Sequence, residues 1–198
     1  MKTPDMPDAT ALDAALRLET RAGLPDALRV LVRAMPQETW AAHPGFGGMT
    51  QFWLERHAAF RRLLDRIAAD AGASAAGDLP PETYAPRLYQ LAGTLLGELH
   101  GHHNVEDAHY FPQLRRLEPS VARGFDLLDA DHRDLDARLH AFAAQVNGLL
   151  QAAQAGGLGA AQVEPFAETV ADFQRILDRH LVDEEELVIP ALLKVSAG

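Results

Sequence analysis

The chain has 198 residues, a formal charge of -10 and no cysteine, a length that suits one domain with a full core. The acidic balance argues against a nucleic-acid groove or an anionic membrane surface as the main partner, because both are bound through an excess of Lys and Arg. Without cysteine there is no disulfide, iron-sulfur cluster, thiolate site or cysteine nucleophile, so any metal must be held by nitrogen and oxygen.

The first residues, MKTPDMPDAT, lack a basic region followed by an apolar core. No run approaches the roughly 20 apolar residues that span a bilayer, and a cytoplasmic location is the expectation. Ala, Leu, Arg, Glu and Gln dominate long stretches while alternating β-branched runs are scarce, which predicts an all-α protein. An amphipathic piece near Ala11 to Thr20 leads to Gly23 and Pro25, and DALRVLVRAM predicts a short helix ending before Pro36. Residues 1–48 are therefore expected to form a helical N-terminal extension packing on a bundle at 49–198.

Breakers divide the rest of the chain. HPGFGG at His43 to Gly48 precedes a helix to about Gly72, GASAAGDLPP predicts a loop, and a second long helix is expected from about Thr83 to Phe111, before Pro112. Pro119 and Ser120 open a third to about Gln154. QAGGLGA reads as a turn, and Glu164-Pro165 starts the fourth. Four long helices with modest connections predict an up-down-up-down four-helix bundle.

Apolar residues three or four apart define the inward stripe of each long helix. They are Trp53, His57, Phe60, Leu64 and Ile67; Leu88, Leu91, Leu95, Leu99, His102 and Glu106; Leu128, His132, Leu135, Leu139, Phe142 and Val146; and Phe166, Val170, Phe173, Leu177, His180, Glu184, Leu187 and Ala191. Each stripe thus carries a histidine, and two carry His-x-x-x-Glu followed six residues later by proline, at Pro112 and Pro190. From the helical rise, His57 and His102 lie roughly 22 and 28 Å from the first turn, and His132 and His180 roughly 30 and 25 Å from the last. All four helices deliver these groups at one level.

A single histidine on an apolar stripe is more often a hydrogen-bonded core residue than a ligand. Six such groups are different: burying four imidazoles and two carboxylates without partners would cost on the order of several kcal/mol each, which a marginally stable domain cannot absorb. A bound cation compensates that cost.

The pattern resembles the hemerythrin-like, or HHE cation-binding, domain. The residues that carry the likeness are His57 in WLERHAAF, HHNVEDAHYFP from His102 to Pro112, His132 in DADHRDL, and HLVDEEELVIP from His180 to Pro190, over about Met49 to Val195. The resemblance implies a non-haem di-iron centre, oxo- or hydroxo-bridged, with His57, His102, His132 and His180 as terminal ligands and Glu106 and Glu184 as bridging carboxylates. Imidazole with carboxylate also suits manganese or a mixed pair, and suits structural zinc less well.

Departures bear on function. Oxygen-carrying relatives are expected to supply a second histidine on the third helix, where this chain has Asp136, so one iron is expected to be less saturated. That favours redox turnover or sensing over reversible oxygen carriage. Glu184 is preferred to Glu185 because it lies on the stripe and mirrors Glu106. His103 is read as a hydrogen-bonding neighbour of the ligands more than as an extra ligand. His109 and Tyr110 are read as packing or supporting residues, and His43, His100 and His140 as surface. The expected function is binding or reduction of dioxygen, nitric oxide or peroxide in oxygen, nitrosative or oxidative stress response. The alternative is a non-enzymatic iron or oxygen sensor, with a protein or redox partner unspecified.

Overall fold

The computed structural model describes residues 16–196. Among them there is no strand, so the chain is all-helical. A 3-10 turn at Asp26–Leu28 leads into α1 (Val30–Ala34) and α2 (Gln37–Trp40), followed by the long α3 (Gly48–Ala75) and α4 (Pro81–Val105). A π-helical turn at Glu106–Tyr110 joins α4 to α5 (Phe111–Leu117), and a 3-10 turn at Pro119–Val121 joins α5 to α6 (Ala122–Gln154); α7 (Ala160–Ser196) ends the fold. The first half of the amphipathic piece expected over Ala11 to Thr20 falls outside the described residues.

Local sequence explains the ends. At α3, Gly47 and Gly48 take φ values of 143° and 47° that only glycine adopts readily. The Gly47 N–H donates to Thr50 Oγ1 at 3.0 Å, closing the first turn. Pro80 and Pro81 start α4 where a missing N–H costs nothing. Two boundaries differ from expectation. The second helix runs past Pro112: the wider i to i+5 turn at Glu106–Tyr110, closed by the Phe111 N–H on the Glu106 carbonyl, restarts the helix at Phe111, so that Pro112, which has no N–H to donate, falls in the first turn of α5. The last helix begins at Ala160, with Pro165 still near its first turn.

Around the fold α3 packs on α4 and α7, and α6 packs on α4 and α7. Two apolar clusters fill the interior. One contains Phe60, Leu64, Leu95, Leu99, Leu135, Phe142, Phe173 and Leu177. The other contains Trp53, Phe111, Phe125, Leu128, Leu187 and Ile189, and is covered by Leu24, Leu31, Val32 and Trp40 from the N-terminal segment. On each long helix the histidine lies between residues of the two clusters. A polar layer is therefore sealed between two apolar ones. No helix among the described residues is long and apolar enough to cross a membrane.

The layers are tight where α6 meets α7. A Cβ on Gly124 would stand 2.7 Å from Leu187 Cδ1, and Leu187 is fully buried. Gly124→Ala is expected to destabilise by about 1 kcal/mol net, overpacking outweighing the helix propensity gained. Exposed Gly148, with nothing within 4 Å of its Cβ position, is expected to gain roughly 0.5–1 kcal/mol on the same change. Urea midpoints of the two variants should move in opposite directions.

Candidate metal centre

Each long helix, with the π turn that follows α4, brings part of the site. His57 comes from α3, His102 and His103 from α4, Glu106 from the π turn, His132 from α6, and His180 and Glu184 from α7. His57, His180 and Glu184 are fully buried, and Glu106 and His132 nearly so. The structure brings all six sequence-predicted residues into one layer, in two sets of metal-ligand atoms. One set is His57, His102, Glu106 and Glu184; the other is His103, His132 and His180.

The carboxylates connect the sets. Glu106 Oε1 lies 2.9 Å from His102 Nε2, while its Oε2 lies 3.6 Å from His132 Nε2. Glu184 Oε1 lies 3.3 Å from His57 Nε2, and its Oε2 lies 3.4 Å from His180 Nε2. Each glutamate thus turns one oxygen to each half. Within the halves, His57 Nε2 stands 3.1 Å from His102 Nε2, and His132 Nε2 stands 3.1 Å from His180 Nε2.

Outer partners orient the rings. His57 Nδ1 lies 2.9 Å from Glu185 Oε1, His132 Nδ1 2.8 Å from Asp107 Oδ1, and His180 Nδ1 3.4 Å from Asp131 Oδ2. An Nδ1–H given to a carboxylate leaves Nε2 with its lone pair facing the centre, as in carboxylate-supported metal histidines. Glu185 therefore supports a ring while Glu184 faces both halves. Trp53 Nε1 donates to Glu184 Oε1.

Several expectations need correction. His103 makes no hydrogen bond through Nε2; its ring stacks on His132 with centroids 4.0 Å apart, and it joins His132 and His180 in a group that could hold a metal ion. Five imidazoles converge, the fifth being His103 on α4 rather than a residue at position 136 on α6. Asp136 itself is half-exposed beside His100 and His140. Periodicity misplaces His103 for an angular reason. Adjacent residues lie about 100° apart on a helix, and here that spread turns His102 toward α3 and His103 toward α6. His109 is exposed, turned out by the π turn, whereas Tyr110 packs edge-on against Trp53 at 5.0 Å. His100 and His140 are exposed, and His43 is half-buried, accepting from the Gly45 N–H.

Charge in the layer is unbalanced. Burial and the nearby Glu184 charge raise Glu106 well above the carboxylate range. Burial acts on Glu184 in the same direction, but His57, His180 and His102 around it hold it well below that range. Burial opposes a charged His180, yet Asp131 and Glu184 outweigh it and raise its pKa to about 9; Glu184 and Glu185 likewise raise His57. Burial pushes His102 down to about 3, with His57, His132 and His180 adding to it, and it lowers His103 strongly.

Both oxygens of Glu106, Glu184 Oε2 and His103 Nε2 are buried without a hydrogen-bond partner. Such orphaned acceptors, converging from five imidazoles and two carboxylates, fit cations and are hard to explain otherwise. The donor set has the nitrogen and oxygen character that suits iron or manganese. A surface groove of about 420 Å³, lined in part by Trp53, Gly97, Gly101 and Tyr110, reaches His102 and Glu106.

A family model described as the hemerythrin HHE cation binding domain matches residues 48–192. No curated protein and no solved structure matches the chain.

Proposed function

The chain belongs to the hemerythrin HHE cation-binding family, and from that premise we propose that it is a non-haem di-iron protein that binds or reduces dioxygen, nitric oxide or peroxide. The observation that carries this reading is the pair of glutamates, each offering one oxygen to each of two imidazole groups. His57 and His102 would hold one iron, His103, His132 and His180 the other, with Glu106 and Glu184 shared between them. The four long helices are read as an up-down-up-down bundle over 49–198, with 1–48 as its extension. Two irons held there would supply a one- or two-electron couple to a small ligand.

The protein's own part is positional. Glu185, Asp107 and Asp131 fix the rings, Trp53 fixes Glu184, and an apolar cluster lies on each side of the polar layer, with the groove of about 420 Å³ reaching it at His102. That groove leads a small ligand to His102 and Glu106, where it would be bound or reduced. The second reading, a non-enzymatic iron or oxygen sensor, is favoured by one observation: the N-terminal segment sends a buried arginine to within one residue's reach of the centre.

Anaerobic loading with ferrous iron should give two irons per chain, and admission of air should produce a ligand-to-iron charge-transfer band in the near ultraviolet. Two bound irons with no such band would sink the redox reading. Fewer than two after full loading would sink the di-iron one.

A further inference from the structure

Arg21 lies outside the segment that the family model matches, yet its side chain is only 1% exposed. Its Nε donates to Asp183 Oδ2 at 2.8 Å, and its Nη1 donates to Asp131 Oδ1 at 3.2 Å and to the Leu16 carbonyl at 2.6 Å. Nη2 donates to Asp131 Oδ2, the oxygen that faces His180 Nδ1. Arg21, Asp131 and His180 thus form one line from the N-terminal segment to the centre. Asp183, the residue before Glu184, is gripped by the same guanidinium and by Arg179.

The other half of the centre shows the same construction. Arg61 Nη1 donates to Glu185 Oε1 at 2.9 Å, and that oxygen lies 2.9 Å from His57 Nδ1. There the arginine belongs to α3, inside the family segment. On the His180 side it is borrowed from the extension. A planar fork that engages two carboxylates leaves each little rotational freedom. Burying such a cluster is weak as a device for stability, because apolar residues of similar size would do as well or better. Its fitness lies in holding Asp131, and through it the imidazole.

We propose that Arg21 is a positioning residue of the metal centre, fixing His180 through Asp131 so that the N-terminal segment completes one half of the site. The proposal rests on the metal-binding reading, and its test has a part that needs no metal. In metal-free protein labelled with 15N-histidine, the unaltered chain should show a slowly exchanging ring N–H signal from His180, assigned by its loss in His180→Gln. Arg21→Met should abolish that signal, Arg21→Lys should restore it in part, and the His57 signal should persist in both.

Arg175→Met is the control, since Arg175 holds the Glu19 carbonyl of the same segment and does not touch Asp131. It should leave the His180 signal intact. With cobalt(II) loaded, release to a chelator should speed at least tenfold for one of two ions in Arg21→Met, with the second ion unchanged. An unaltered His180 signal in folded Arg21→Met, or equal loss in Arg175→Met, overturns the proposal. A chain that takes up no metal overturns the di-iron reading, and the imidazole signal still decides the role of Arg21.

Discussion

Exchanging Glu184 for alanine is expected to lower bound metal below about one-tenth of the unaltered chain's content, whereas His103→Ala should retain about half. Glu184 is the residue of α7 that faces both halves, with Oε1 toward His57 and Oε2 toward His180. Its removal takes an oxygen from each ion. It also removes the charge that raises the pKa values of His57 and His180 in the metal-free state. Leaving those rings without their counter-charge is expected to cost about 3–5 kcal/mol, so Glu184→Gln belongs beside it. The amide keeps the shape and the Trp53 contact while losing the anionic oxygens.

His103 serves one half alone. It stacks on His132 and makes no hydrogen bond through Nε2. With His103→Ala, the His57, His102, Glu106 and Glu184 set stays whole, and one ion per chain should remain. Metal analysis after gel filtration, on variants shown to be helical by circular dichroism, checks both outcomes. Full occupancy in Glu184→Gln would rule out the shared-carboxylate arrangement. Full occupancy in His103→Ala would return His103 to a supporting role.

The contrast between these two residues shows what the sequence can disclose. Glu184 is legible because it lies four residues from His180 on an apolar stripe, and a period of 3.6 is strong evidence of facing inward. The same logic locates His57, His132 and Glu106, all buried between Trp53 and Phe60, Leu128 and Leu135, or Leu99 and Phe111. It misplaces His103 because a stripe one residue wide cannot represent a helix whose neighbours on two sides both need a ligand. The π turn is hidden for a related reason. Pro112 marks an interruption in the sequence, whereas the burial of Phe111 and Leu114 on either side of it in the second cluster shows only in three dimensions.

Arg21 leaves no periodic mark at all. Its meaning comes from Asp131 and Asp183, residues distant in sequence that each precede a predicted ligand, His132 and Glu184. A charge is readable from sequence; the three-dimensional meeting of one arginine with two aspartates is not. The same limit applies to Asp136. Spacing locates the position where a histidine is expected, but cannot show that His103 of another helix stands beside His132 and His180.

Loading the centre with metal at pH 7 is expected to release protons, His180 contributing about one. The groups concerned are His57 and His180, whose folded pKa values are raised, and Glu106, raised well above the carboxylate range. A ligand nitrogen or oxygen must shed its proton to bind a cation, so metal and protons compete, and affinity should fall as pH falls. The same shifts shape the stability of the metal-free protein. His57 and His180 contribute stability that is full below the unfolded value near 6.5 and is lost as pH rises, for His180 through about 9. His102, His103 and His132 are depressed, so below about pH 6.5 the unfolded chain takes up protons that these rings refuse, and stability falls as pH drops, for His102 down to about 3. Glu106 opposes part of that acid loss, since its contribution is greatest at low pH and disappears as pH rises through its elevated folded value. Each net proton is worth about 1.4 kcal/mol per pH unit, so stability of the metal-free chain should peak near pH 6.5 and decline on both sides. Metal strips His57, His180 and Glu106 of their protons, and the alkaline decline should then flatten. Urea titrations from pH 4 to 9 with and without metal, beside indicator-dye measurement of proton release, test this. Metal uptake without proton release would show that these groups are already deprotonated, and the charge pattern described for the layer would be wrong.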